Sequence, residues 1–256
     1  MVARTTSLGY RPIKNTYRRY LRYCLSITPK LLRSPGGSEN NLEKGSTDQS
    51  EQESGASRGK KKEIGERLEE WRPAILDREM VVLYVDECHL LWDDARGYVW
   101  GPAGQRIAVE MTNFRERQTY YGAIDQRNGE VTVAPAAAGN GEHTVAFVQL
   151  LRQKYAGKRL VLLWDGATYH KGAEMQAYLQ SVNAGLNSDE WQVSCLMFAP
   201  NAPEQNPMED IWLKAKQYVR KNWYKCNIFS KVKELFLDSI NNQSFDFSKL
   251  HMYADL

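Results

Sequence analysis

The chain has 256 residues, 42% hydrophobic and 11% aromatic, with 34 basic against 31 acidic side chains for a net charge of +3. That is apolar material for one substantial core and a smaller appendage, so most of the length is globular. No apolar run approaches the ~20 residues that span a bilayer and the amino-terminus lacks the apolar core of a signal peptide, which excludes a membrane partner and points to a cytoplasmic protein. Cys24, Cys88, Cys195 and Cys226 show no paired spacing. They suggest neither a zinc site nor a disulfide framework and read as ordinary reduced thiols.

Residues 1–33 carry Arg4, Arg11, Lys14, Arg18, Arg19, Arg22, Lys30 and Arg33 with no acidic residue, and Tyr10, Tyr17, Tyr20 and Tyr23 are interleaved. Such a segment is either a contact for a nucleic-acid backbone or a solvated basic tail. It is too short for a complete helix-turn-helix domain and amounts at most to a remnant of one. From 34 to 62 the composition turns to Gly, Ser, Glu, Gln, Asn, Asp and Lys. Too little apolar surface is present there to offset the entropy of ordering, so a disordered linker is expected. A helical lead-in over 63–79 follows, with Ile64, Leu68 and Trp71 on one side and Pro73 ending it.

The stretch Val81-Val82-Leu83-Tyr84-Val85 runs straight into Asp86-Glu87, and Leu160-Val161-Leu162-Leu163-Trp164 runs into Asp165 in the same manner. Continuous apolar runs of this length read as strands buried on both faces. Parallel strands deliver their chemistry at the carboxyl edge of the sheet, so Asp86 and Asp165 are expected side by side there. Like charges so placed repel unless a cation or a shared proton compensates, and a divalent metal is the economical answer.

Between these runs, Val99 to Val109, Gln118 to Ile124 and Gly129 to Ala134 read as antiparallel strands of a meander. A helix over His143 to Tyr155, with Val145, Phe147, Val148, Leu150 and Leu151 inward, then forms a right-handed crossover to the second acid-bearing strand. Lys171 to Val182 reads as a helix and Gln192 to Phe198 as a strand. A Pro-rich turn then leads into a final long helix beginning near Met208, with Pro207 where a first-turn proline is tolerated. Glu209 falls in the first turn of that helix and is expected to point back toward Asp86 and Asp165. The order of elements is that of an α/β, RNase H-like, retroviral-integrase-type fold: a mixed five-stranded sheet with flanking helices. A doubly wound phosphohydrolase is the rival arrangement, and in it Glu209 would lie far from the two aspartates.

Three blocks now stand in order: Tyr84-Val85-Asp86-Glu87; Leu163-Trp164-Asp165-Gly166-Ala167-Thr168-Tyr169-His170; and Pro203-Glu204-Gln205-Asn206-Pro207-Met208-Glu209-Asp210-Ile211-Trp212. Together they resemble the signature blocks of the mariner-like bacterial insertion-sequence transposases, members of the DDE superfamily, over residues 80–256. The resemblance implies that Asp86, Asp165 and Glu209 are the catalytic, metal-binding triad, with two Mg²⁺ ions that Mn²⁺ can replace. His170, Glu87 and Asn206 become supporting residues. It implies strand cleavage and strand transfer at transposon ends, with inverted-repeat and target double-stranded DNA as partners, a homodimer on DNA, and a nucleoid-associated location. Arg11, Lys14, Arg18, Arg19 and Arg22, together with Lys214, Lys216, Arg220 and Lys221 of the last helix, are the candidate DNA contacts. The interval between Asp165 and Glu209 exceeds the family's usual one, and Asn183 to Trp191, a polar loop, accounts for the excess.

Each residue has a plainer reading. The aspartates could be turn formers at strand ends, and Glu209 a partner of the helix dipole. His170 could cap the following helix or stack on Trp164, and the lysines could be a solvated face. A catalytically inactive, transposon-derived DNA-binding protein is therefore the alternative function.

Overall fold

The computed structural model describes residues 55–95, 116–200, 202–241 and 243–253. The expected strand over Val99 to Val109 and the basic residues Arg11, Lys14, Arg18, Arg19 and Arg22 lie outside them. Helices α1 (Gly55–Glu70) and α2 (Arg72–Leu76) lead into β1 (Met80–Leu91), followed by β2 (Arg117–Asp125) and β3 (Val131–Ala136). Helix α3 (Gly141–Lys154), β4 (Arg159–Trp164), α4 (Ala173–Val182), β5 (Val193–Met197), α5 (Pro207–Lys221) and α6 (Phe229–Asp238) complete the order. The strands form one sheet in the order β3-β2-β1-β4-β5. β1, β2 and β3 are antiparallel neighbours, while β4 runs parallel to both β1 and β5. The antiparallel half rules out the doubly wound rival.

Alternation along β1 builds two cores. Val82, Tyr84, Cys88 and Leu90 enter one with Ile64 and Leu68 of α1, Met208, Ile211, Trp212, Ala215 and Val219 of α5, and Val232 and Phe236 of α6. Val81, Leu83 and Val85 enter the other with Phe147, Val148 and Leu151 of α3 and Met175 of α4. Every residue from Met80 to Asp86 is buried, which is why the strand reads as an unbroken apolar run. The turn joining β2 to β3 requires glycine at 129: its φ is +64°, and a Cβ there would lie 1.9 Å from the Phe245 carbonyl oxygen.

Four expectations need correction. β1 does not end at the acids but runs on to Leu91, because β2 keeps pairing with it after β4 has stopped. Helix α1 starts at Gly55, inside the stretch read as a disordered linker. Pairs such as Lys60–Glu63 line its exposed side, and the buried Ser57 takes a hydrogen bond from Gln205 at 2.8 Å, a long-range tether that local composition does not reveal. The helix carrying Glu209 is not the final long helix expected: it stops at Lys221, with Asn222 as its carboxyl cap. Helix α6, which buries Phe229, Val232, Leu235 and Phe236, was not foreseen.

Candidate active site

The parallel ladder between β1 and β4 ends at the pair Tyr84↔Leu163. Two residues further along each chain come Asp86 and Asp165, so the two residues stand at the same level, just past the end of the parallel ladder. β5 keeps beside β4 to this point, with the Phe198 N–H donating to the Trp164 carbonyl at 2.9 Å. Asp86 is thus mid-strand, 8% exposed, at the place where β1 loses its parallel neighbour.

Asn206 brings the third acid. It is the amino cap of α5, its side-chain oxygen accepting from the Met208 N–H at 3.1 Å, while its Nδ2 donates to the carbonyl of Val85 at 3.1 Å. The helix start is therefore tied to the residue immediately before Asp86. Pro207 occupies the opening of the helix and Glu209 lies in its first turn, exposed. Gln205 holds the preceding loop from inside: its Oε1 accepts from the Ala199 N–H at 3.3 Å and the Tyr253 hydroxyl at 2.9 Å.

Electrostatics differ sharply from acid to acid. Burial, with the charges of Glu209, Glu87 and Asp165 adding to it, pushes the Asp86 carboxyl well above the usual carboxylate range. Its Oδ2 accepts the indole N–H of Trp212 at 3.0 Å. Asp165 is held below that range by the hydrogen bond from His170, at 3.0 Å between Nδ1 and Oδ1, with burial opposing and the Ala167 N–H assisting at 2.9 Å. For His170 burial pulls the pKa down, but the hydrogen bonds to Asp165 and Glu87 outweigh it and raise the ring to about 9. An imidazolium therefore sits between two carboxylates, its Nε2 3.0 Å from Glu87 Oε1. Its ring stacks on Trp164 with centroids 4.3 Å apart and planes at 3°, so the stacking alternative holds together with the ionic role. Glu87 also accepts from the Tyr169 hydroxyl at 3.1 Å, and burial together with the Glu87 charge drives that phenol upward.

The structure thus brings Asp86, Asp165, Glu209, Glu87, His170 and Asn206 to one edge of the sheet. Among the described residues, no three of Asp, Glu, His and Cys are gathered as a ready coordination shell. The basic residues of α5 are distributed differently. Lys216 pairs with Asp94 at 3.2 Å, Arg220 reaches the same carboxylate at 3.7 Å, and Lys214 lies 4.9 Å from the centroid of Phe247. Lys221 is exposed. Asp210 pairs with Lys249 at 3.2 Å.

Trp212, Gln205 and Tyr169 were missed as site residues. For Trp212 a signal existed: it falls on the apolar stripe of α5, and an indole on a buried stripe needs an acceptor for its N–H.

Residues 81–231 match the family of DDE superfamily endonucleases. The chain is similar to the Mos1 mariner paired-end complex with Mn at a TM-score of 0.51 and 14% identity, covering 94% of this chain and 67% of that one. It is also similar to the Mos1 transposase paired-end complex with left transposon end (TM-score 0.47, 15% identity, 94% and 66% covered). A third likeness is to the Mos1 transposase catalytic domain with raltegravir and Mg (0.47, 13% identity, 77% and 89% covered). The chain spans about two thirds of the length of the Mos1 chains in the two paired-end complexes. No curated protein matches it. The sheet with its flanking helices is the RNase H-like fold, shared with the Mos1 chain of the complex with Mn. The family match takes in Asp86, Asp165 and Glu209 and covers more than half of the sequence, and on that ground the chain belongs to the DDE superfamily endonuclease family.

Proposed function

We propose that the protein is a DNA transposase, acting on phosphodiesters at transposon ends with divalent metal ions held by Asp86, Asp165 and Glu209. The observation that carries this reading is the common level of Asp86 and Asp165 at the sheet edge, with the start of α5 tethered beside Asp86 through Asn206. The donor set fits a hard cation. It consists of carboxylate oxygens, the sort that suit Mg²⁺ and Mn²⁺, and Asp86 sits in the uncompensated field of its neighbours. Metal ions bound there supply Lewis acidity, to activate water or a 3′-hydroxyl and to stabilise the leaving oxygen in an in-line displacement.

The chain's own residues do the positioning. Asn206 keeps Glu209 in the turn above Val85, and His170 fixes the Asp165 carboxylate from below. Glu87 holds the far side of the imidazolium and so belongs to the support of Asp165. Lys221 and the basic residues 11–22 are the proposed contacts for the DNA backbone, and the active species is proposed as a homodimer on two transposon ends.

Incubation of the protein with supercoiled plasmid tests the reading. Nicks are expected with Mg²⁺ or Mn²⁺ and none with chelator, and Asp86→Asn, Asp165→Asn and Glu209→Gln are each expected to bring nicking to background. A substitution that leaves nicking intact removes that residue from the triad. A wild-type protein that retards DNA in a gel but never nicks it is the inactive DNA-binding relative instead.

A further inference from the structure

Gly122 stands directly opposite Asp86 in the ladder between β1 and β2. A Cβ at that position would lie 2.4 Å from Trp212 Cζ2, 2.5 Å from Trp212 Cη2 and 2.5 Å from Met208 Cε. The volume that any other residue would need is occupied by the indole. That ring is 3% exposed, stacks on Phe236 with centroids 5.8 Å apart, and gives its N–H to Asp86 Oδ2 at 3.0 Å. Residues opposite one another in an antiparallel ladder share a face of the sheet. A bare position at 122 is thus what admits a ring from α5 to the sheet surface beside the Asp86 carboxylate.

The plain account is that glycine makes room for a core ring and the ring finds an acceptor, as buried indoles do. Two features go beyond it. The acceptor is a carboxylate in the field of other acids, where a backbone carbonyl would have satisfied the same N–H. The donor is also a neutral indole N–H, so it fixes the group without placing a charge of its own beside it.

We propose that Gly122 and Trp212 form a positioning pair for Asp86: the glycine provides the slot, and the indole N–H fixes the rotation of the carboxylate that receives a metal ion. This rests on the reading of Asp86 as a metal ligand. Hydrogen bonds that orient ligating carboxylates cost about 10–100-fold in affinity or activity when removed.

Four proteins test the pair: wild type, Trp212→Phe, Gly122→Ala and the double variant. Each is measured for Mn²⁺ binding by calorimetry, for plasmid nicking across Mn²⁺ concentrations, and for thermal melting. Trp212→Phe is expected to weaken Mn²⁺ binding ~10–100-fold, with nicking partly restored at saturating Mn²⁺. Gly122→Ala is expected to weaken binding similarly and to melt at lower temperature, since its methyl group collides with the ring. Phenylalanine lacks Cζ2 and Cη2, and Met208 Cε is the end of a flexible side chain that can turn aside, so the double variant is expected to regain the part of the melting temperature that Gly122→Ala loses to the ring, while its Mn²⁺ affinity stays at the Trp212→Phe level. A purely structural role makes affinity follow melting temperature across the set and overturns the proposal, as does a Trp212→Phe protein that binds Mn²⁺ within about twofold of wild type. Should Trp212→Phe fail to fold, the seven tryptophan N–H resonances of the wild type decide. One is expected to shift both on Asp86→Asn and on Mg²⁺ addition, and a spectrum in which none responds overturns the pair. A wild type that takes up no Mn²⁺ overturns the metal-ligand reading and the pair with it. A wild type that binds and nicks beside an unaffected Trp212→Phe overturns the pair alone.

Discussion

Asp86 and Glu87 are neighbours on one strand, yet the alternation of β1 sends them to opposite faces of the sheet, and the two faces treat a carboxylate in opposite ways. On the face covered by α3 and α4, Glu87 meets an imidazolium and a phenol, and Asp165 shares that imidazolium. On the face covered by α5 and α6, Asp86 meets a neutral indole N–H and the field of three other acids. Among the described residues, Glu87 has a cationic partner on the first face and Asp86 is paired with none on the second. Burying a charge without compensation destabilises the fold, so an arrangement of the second kind points to a site that receives its cation from outside.

The largest effect expected on this contrast comes from His170. Replacing it by alanine leaves Glu87, whose side chain is 6% exposed, without its cation, and breaking a buried pair in this way costs about 3–5 kcal/mol. No part of that figure is assigned to Asp165, whose side chain is 58% exposed and screened by water. The pH dependence has a definite sign. The folded pKa of His170, about 9, exceeds the ordinary 6.5, so its contribution is complete below 6.5 and is lost as pH rises through about 9. Urea denaturation across that interval should show wild-type stability falling and His170→Ala staying flat, on top of the pH dependence common to both. Equal curves would mean that the imidazole is a packing group and that the two faces do not differ.

Asp86→Asn should move stability the other way. Because the folded pKa of Asp86 is raised, its favourable contribution exists below the ordinary value of 3.8 and is lost as pH rises from there toward the raised value. Asparagine escapes that loss. At neutral pH, without metal, the variant is expected to be more stable than wild type by roughly 1–3 kcal/mol, the usual scale for a buried polar group without full compensation. Scanning calorimetry checks the sign, and added Mg²⁺ should close the gap by raising wild type more than the variant. A variant that melts lower than wild type in the absence of metal would show that Asp86 is already compensated and would remove the contrast between the faces.

What the sequence revealed, and what it hid, follows the same division. The acids at the ends of two apolar runs were legible because a strand buried on both faces cannot alternate, and an abrupt Asp at its end marks the sheet edge. The continuation of β1 through Cys88, His89, Leu90 and Leu91 was not, because the Asp-Glu pair looks like a terminus and pairing with β2 is a tertiary event. His170 could be read as a cap or as a stacking partner, since five residues from Asp165 in a loop fixes no direction. Only the fold shows that Glu87, more than eighty positions away, completes its environment. The spacing of Phe229, Val232, Leu235 and Phe236 carries a helical period, but no proline or glycine after Lys221 marks where α5 ends and a second helix begins. Trp212 was legible as a core residue and illegible as a partner of Asp86, because its role depends on the empty position at Gly122 on another strand.

The smallest effect bears on how α5 is attached to the second face. Asn206 does two separable things: its oxygen caps the helix, and its Nδ2 holds the Val85 carbonyl. Serine can cap but is too short to do both, so Asn206→Ser removes the tether and keeps the cap, whereas Asn206→Ala removes both. The loss of a cap costs about 1 kcal/mol, and Asn206→Ala should therefore be less stable than Asn206→Ser by about that amount, some 2–4 °C in melting temperature for a domain of this size. Nicking should not follow that order. If the tether sets the approach of Glu209 to Asp86, the two variants lose nicking to the same degree despite their different stabilities. If activity instead tracks melting temperature, Glu209 is placed by the packing of α5 as a whole, through Met208, Ile211 and Trp212, and the Val85 contact is incidental to it.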